Sequence, residues 1–127
     1  MSRKKILLVD DSATTLMMEQ MVLRGLRYQI VTAKNGREAV AAAVSEQPDL
    51  ILLDVVMPEM NGFEACRQIR QQESTKDVPI IMVTTKGEEH NVETGFESGC
   101  NDYITKPING AELLTKVRGF LEQEGAA

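Results

Sequence analysis

Short apolar runs alternate along this chain with segments of helical period. Lys5-Ile-Leu-Leu-Val-Asp10 is apolar and ends in acid. Tyr28-Gln-Ile-Val-Thr-Ala33 is rich in aromatic and β-branched residues. Leu50-Ile-Leu-Leu-Asp54 repeats the design of an apolar run closed by Asp. Pro79-Ile-Ile-Met-Val-Thr84 opens on Pro, which a strand tolerates at its start. Asp102-Tyr-Ile-Thr105 is the fifth and shortest. Continuous apolar runs, rather than strict alternation, suit parallel strands covered on both faces.

The intervening segments predict helices. Ser12 caps one running to about Gly25, which is placed to end it. Asn35 caps a second with Ala39, Val40, Ala43 and Val44 inside and Pro48 just beyond. Asn61-Gly-Phe-Glu opens a third that presents Phe63, Cys66 and Ile69. Glu88 to about Ser98 reads as a polar helix with few apolar anchors. Asn109 caps the last, with Leu113, Leu114, Val117 and Leu121 on one stripe. Five strand–helix units make an α/β protein, (βα)5. Right-handed crossovers then give a doubly wound, five-stranded parallel sheet, flavodoxin-like, with strand order 2-1-3-4-5. In that order the first and third strands are neighbours, and a ligand is expected where the winding reverses, at their C-terminal ends.

At 127 residues the chain has the size of a single domain, taken as 1–127 with a core over about 5–121. Its 43% hydrophobic content argues against disorder. The net charge of −5 argues against direct nucleic-acid binding, which needs clustered Lys and Arg. The run Ile6–Val9 is too short for a signal peptide or membrane span, so a cytoplasmic protein is expected. Cys66 and Cys100 have no metal-type spacing and read as reduced core thiols.

The chemistry sits at the strand ends. Asp10 and Asp11 close the first strand and Asp54 the third, so three carboxylates converge if those strands are neighbours. Such a group repels itself and raises its own pKa values. A hard divalent cation with oxygen ligands offsets the charge, and Mg2+ suits a site with few carboxylates and several retained waters. Thr84 ends the fourth strand and Lys106 follows the fifth, which brings a hydroxyl donor and a compact cation to the same edge. Carboxylates, a metal, a hydroxyl and an ammonium form a phosphoryl-transfer set in which one carboxylate attacks as nucleophile.

The residues Asp10-Asp11, Leu53-Asp54, Met57-Pro58-Glu-Met-Asn-Gly62, Val83-Thr84 and Tyr103-Ile-Thr-Lys106-Pro107 resemble the receiver domains of bacterial two-component response regulators, including the single-domain chemotaxis type. The resemblance runs from about Lys5 to Leu121. It implies that Asp54 is the phosphoacceptor and that Asp11, Asp54 and the backbone carbonyl of Val56 bind Mg2+, with Asp10 assisting partly through water. It implies that Thr84 moves to hydrogen-bond the phosphoryl group, that Lys106 pairs with it, and that Tyr103 turns inward as Thr84 moves. The face made by the fourth helix, fifth strand and fifth helix then changes shape and controls partner binding or phosphorelay. Gly62 permits a tight turn, and the Lys106-Pro107 bond is cis. The resemblance also implies a phosphohistidine donor on a histidine kinase or histidine phosphotransfer protein, a domain that is a monomer or weak dimer, and no enzyme activity beyond its own phosphorylation and dephosphorylation.

Two other readings share the residues. An aspartyl-nucleophile phosphatase usually needs a second acid two residues after the nucleophile, where Val56 stands. A flavin carrier lacks its phosphate loop here, since Asp10-Asp11 would repel the phosphate. Val56 offers no group to orient an attacking water, so slow self-dephosphorylation is expected, and basic Lys86 affects the same access. Leu16, Met17, Met18, Met21, Val22 and Leu23 cover more than one stripe of the first helix, which fits either deep packing or a partner surface. The lone His90 reads as solvated.

Overall fold

The computed structural model describes residues 3–85 and 89–122, with the backbone alone for 89–91. The sequence-predicted positions of Lys86, Glu88 and the His90 side chain fall outside that description. The elements are β1 (Lys5–Val9), α1 (Ala13–Leu23), β2 (Gln29–Ala33), α2 (Gly36–Glu46), β3 (Leu50–Asp54), α3 (Gly62–Gln71), β4 (Ile80–Thr85), α4 (Glu89–Ser98), β5 (Asp102–Lys106) and α5 (Gly110–Leu121). The strands form one sheet in the order β2-β1-β3-β4-β5, and every pairing is parallel. This is the expected doubly wound α/β fold.

Local chemistry explains the boundaries. The side chains of Ser12, Asn35, Asn61 and Asn109 each accept the backbone N–H three residues on, at 2.8–3.2 Å, and so cap α1, α2, α3 and α5. Pro79 stands outside β4 but still contributes, because its carbonyl accepts from Ile51 N at 3.0 Å and it has no N–H to waste. Gly25 does not end α1. The helix stops at Leu23, Arg24 is the right-handed C-cap residue, and Leu26 N donates to Leu23 O at 3.0 Å. A tight turn that tucks Leu26 against the core takes the place of a left-handed glycine.

The sheet carries a packed layer on each side. Leu7, Val9, Ile51, Leu53, Ile80 and Met82 face α2 and α3 residues such as Ala39, Ala65 and Ile69. Ile6, Leu8, Leu50, Leu52, Ile81 and Ile104 face α1 and α5 through Leu16, Leu23, Leu113 and Val117. Alternation along each strand sorts the residues between the layers. Both faces are buried, which is why the strands read as unbroken apolar runs. Cys66 and Cys100 are free, buried thiols in the first layer. Burial, the largest cause in each case, pushes the Cys66 thiol up and the Cys100 thiol up to about 11. Thiolate is scarce at neutral pH, and a packing role follows.

On α1 the Met residues turn out not to be core. Leu16 and Leu23 pack inward, whereas Met17 and Met21 are 62% and 59% exposed and Met18 is 43% exposed. Of the two readings of that helix, deep packing fails for the three methionines.

Candidate functional site

Strand register builds the site. Val9 pairs with Leu53 and Asp54 with Val83, so the residues that follow Val9 arrive beside Asp54. Thr84 pairs with Thr105 and Thr85 with Lys106, which carries the lysine to the same C-terminal edge. One carboxylate oxygen from each of Asp10, Asp11 and Asp54 lies within 4.8 Å of the others. Asp10 and Asp54 are buried and Asp11 is exposed. Lys106 Nζ stands 3.2 Å from Asp10 Oδ2 and 3.3 Å from Asp54 Oδ1. The five residues singled out from the sequence thus share one strand edge.

Each side chain is fixed differently. Asp10 Oδ1 accepts the Ser12 N–H at 2.9 Å, which ties the acid to the start of α1. Its Oδ2 is buried and, apart from the ion pair with Lys106, has no hydrogen bond of good geometry. Asp54 is held at the end of β3 by the loop behind it. Gly62 N donates to Val55 O at 2.9 Å, and a Cβ on Gly62 would collide with the Asp54 carbonyl oxygen and come within 2.9 Å of Val55 Cα. Gly62 is therefore required by close approach, not by a left-handed turn. The left-handed residue of this loop is Glu59, at φ 68°. The Lys106-Pro107 peptide bond is cis. A groove of about 200 Å³ lined by Thr15, Met18, Lys106, Pro107 and Ile108 opens beside the lysine.

The charges decide the protonation states. Burial, then the Asp10 carboxylate, raise Asp54 to about 6, against the opposing pull of Lys106. Burial alone would lower the Lys106 ammonium, but Asp54 and Asp10 outweigh it and the net shift is upward. Three acids facing one ammonium leave an excess of negative charge. Asp10 Oδ2, which has an ion pair but no hydrogen bond among the described residues, and the grouped carboxylate oxygens fit a hard divalent cation with oxygen ligands, in the class of Mg2+. Val56 is 66% exposed at the mouth of the site and adds no polar side chain there.

Thr84 and Tyr103 lie on the other face of the sheet. Thr84, two residues after Met82, shares its face, and Tyr103 packs against the α2–α3 layer. Among the described residues the buried Thr84 hydroxyl has no hydrogen-bond partner, so it is a donor still open to an acceptor. The Tyr103 ring meets Phe96 of α4 edge-on, with centroids 6.3 Å apart.

One residue of this neighbourhood was missed in the sequence. Glu19 of α1 is only 1% exposed and feels the charges of Asp10, Lys106 and Asp54. Its Oε1 has no hydrogen-bond partner among the described residues. Burial, then Asp10, raise its carboxyl to about 8, with Lys106 opposing and Asp54 adding. A signal existed, since residue 19 lies three after Leu16 and four before Leu23 and so falls on the helix's inner stripe.

Known proteins match this chain over nearly its full length. A family model described as the response regulator receiver domain matches residues 6–118. The transcriptional regulatory protein ResD of Bacillus subtilis is 46% identical over 119 residues, covering 94% of this chain and 48% of ResD. The chain thus spans about half the length of that relative. Among solved structures, a putative response regulator from Chloroflexus aurantiacus superposes with a TM-score of 0.91 at 36% identity, covering 95% of this chain and 99% of the other. The receiver domain of the sensor histidine kinase PA1611 of Pseudomonas aeruginosa PAO1 gives 0.87 at 33% identity, covering 95% and 99%. That protein's structure has a magnesium ion coordinated in its active-site cleft.

Proposed function

Because this chain belongs to the response regulator receiver domain family, we propose that it is a phosphorylation-controlled signalling module with Asp54 as the phosphoacceptor. The observation that carries the reading is the joint placement of Asp10, Asp11 and Asp54 with the Lys106 ammonium 3.2–3.3 Å from two of them. An Asp54 carboxylate oxygen attacks phosphorus, the bond to a phosphohistidine nitrogen breaks, and the imidazole leaves with its electron pair and takes a proton. Lys106 sits where it neutralises charge on the transferring oxygens. Asp11, Asp54 and the Val56 carbonyl would hold Mg2+, with Asp10 assisting through water. Bound there, the metal supplies electrostatic stabilisation of the transferring phosphoryl group.

The response follows from Thr84 and Tyr103. A phosphoryl oxygen on Asp54 supplies the acceptor that the Thr84 hydroxyl lacks. Movement of Thr84 toward it opens space on the side where Tyr103 packs. The face formed by α4, β5 and α5 then presents a different surface to a partner or relay protein. The donor is a histidine kinase or histidine phosphotransfer protein in the cytoplasm. The domain turns over no substrate besides its own phosphate, and Val56 in place of a second acid favours this reading over a phosphatase.

The test is incubation with a small-molecule phosphodonor and Mg2+, following label on intact protein by mass spectrometry. Wild type gains one phosphoryl group and Asp54→Ala gains none. Equal labelling of both proteins overturns the proposal.

A further inference from the structure

The Tyr103 ring touches two groups that the switch described above does not use. Lys116 Nζ of α5 stands 5.0 Å from the ring centroid, within the range of a cation–π attraction. The ammonium does not depend on the ring for its position. It donates to the Tyr103 carbonyl at 2.6 Å and to Asp102 Oδ1 at 3.1 Å, and Glu112 Oε2 lies 3.7 Å away. Asp102 Oδ1 also accepts the Tyr103 N–H at 2.8 Å, so carboxylate, ammonium and backbone form one closed unit at the start of β5. On the α4 side, Phe96 meets the ring at 88° although it is itself 46% exposed.

We propose that Lys116, with Phe96, is a latch that holds the Tyr103 ring in its present contacts, against an inward turn toward Thr84, and so sets how far the unphosphorylated domain populates its switched state. The inference rests on the reading of Tyr103 as the switch residue. Because backbone and Asp102 fix the ammonium, a ring that turns toward Thr84 leaves the cation behind and loses its attraction. Lys116 touches neither Asp54 nor the phosphoryl group and is a positioning residue. Removing a partly exposed cation–π contact shifts a two-state ratio about two- to fivefold. The inward fraction of Tyr103 rises by that factor when the cation is removed, and apparent affinity for a phosphoryl mimic rises with it.

The chain has only two tyrosines, Tyr28 and Tyr103, so ring-labelled tyrosine NMR resolves the question, with Tyr28→Phe assigning the signals. Lys116→Met keeps the aliphatic stem and removes the charge; Lys116→Gln serves if that variant does not fold. The expected result is a higher inward population of Tyr103 without phosphodonor, about two- to fivefold tighter beryllium fluoride binding with Mg2+, and wild-type values for Lys116→Arg. A folded variant with unchanged ring populations overturns the latch, since a purely structural lysine would alter thermal stability alone. Failure of wild-type Asp54 to take label, or a Tyr103 ring that stays outward once Asp54 is labelled, would instead overturn the phosphoacceptor or switch reading. The ring populations of the unlabelled variants decide the latch in either case.

Discussion

Lys106 Nζ lies 3.3 Å from Asp54 Oδ1, yet the Asp54 carboxyl is held up at about 6. Burial and the neighbouring Asp10 outweigh the ion pair. Replacing Lys106 with Met leaves those raising effects unopposed. The Asp54 midpoint, read from carboxyl 13C shifts in metal-free protein, is expected to move above 6. Labelling by a small-molecule phosphodonor at pH 7 should fall tenfold or more, roughly the loss of one charged stabiliser. A midpoint that stays put would mean the ammonium does not act on Asp54.

Glu19 gives the metal-free protein an unusual pH dependence. Its folded value of about 8 lies above the ordinary 4.5, so the folded state holds a proton that the unfolded chain releases. Between pH 4.5 and 8 each rise in pH therefore favours the unfolded chain, and Asp54 adds the same sign between about 4 and 6. The Glu19 contribution at pH 7 is on the order of 2–4 kcal/mol. Glu19→Leu places an apolar side chain in the layer of Leu16 and Leu23. Urea midpoints in EDTA should rise by the equivalent of about 1–3 kcal/mol at pH 7, with little gain at pH 4.5. Equal gains at both pH values would assign the effect to packing alone.

Val56, two residues after Asp54, is 66% exposed and offers no polar side chain. The phosphorylated form should persist longer in wild type than in Val56→Asn, whose amide can orient a water toward phosphorus. The decay rate, followed after removal of phosphodonor, is expected to rise about tenfold in the variant. No difference in decay would sink the argument from Val56.

Gly62 faces the Asp54 carbonyl with no room for a Cβ. Gly62→Ala should cost about 1–3 kcal/mol, because the atom it meets is backbone and cannot rotate away. Chemical denaturation measures it. The same variant should label more slowly at Asp54, whereas Gly119→Ala on α5, where a Cβ meets nothing within 4 Å, should do neither.

The fold was legible because its devices are local. Four capping side chains and the apolar runs ending in Asp10 and Asp54 mark element ends within a few residues of sequence. The convergence of Asp10, Asp11, Asp54, Thr84 and Lys106 was legible once the strand order was assumed, since each sits at a strand's C-terminal end or just beyond it. What stayed hidden depends on distant packing. An apolar pattern on both sides of α1 could not say that Met17 and Met21 face solvent. Nothing near Tyr103 in sequence announces that Lys116, thirteen positions on, lies over its ring. The end of α1 was legible to within two residues, but not its device: Gly25 carries the usual stop signal, whereas a right-handed Arg24 and a turn that brings Leu26 against the core close the helix.

Along β3 and β5, Asp54 shares Leu52's face and Lys106 that of Ile104, whereas Thr84 and Tyr103 belong to the opposite face. The acidic centre and its proposed reporter are thus separated by the sheet, and they meet only at its rim. Such an arrangement insulates writing from reading. On the proposed function, substitutions in the α1 layer would act on the acidic centre, and substitutions on the α4 side would act on the Tyr103 face. A lineage duplicating this domain could therefore rewire input and output one at a time.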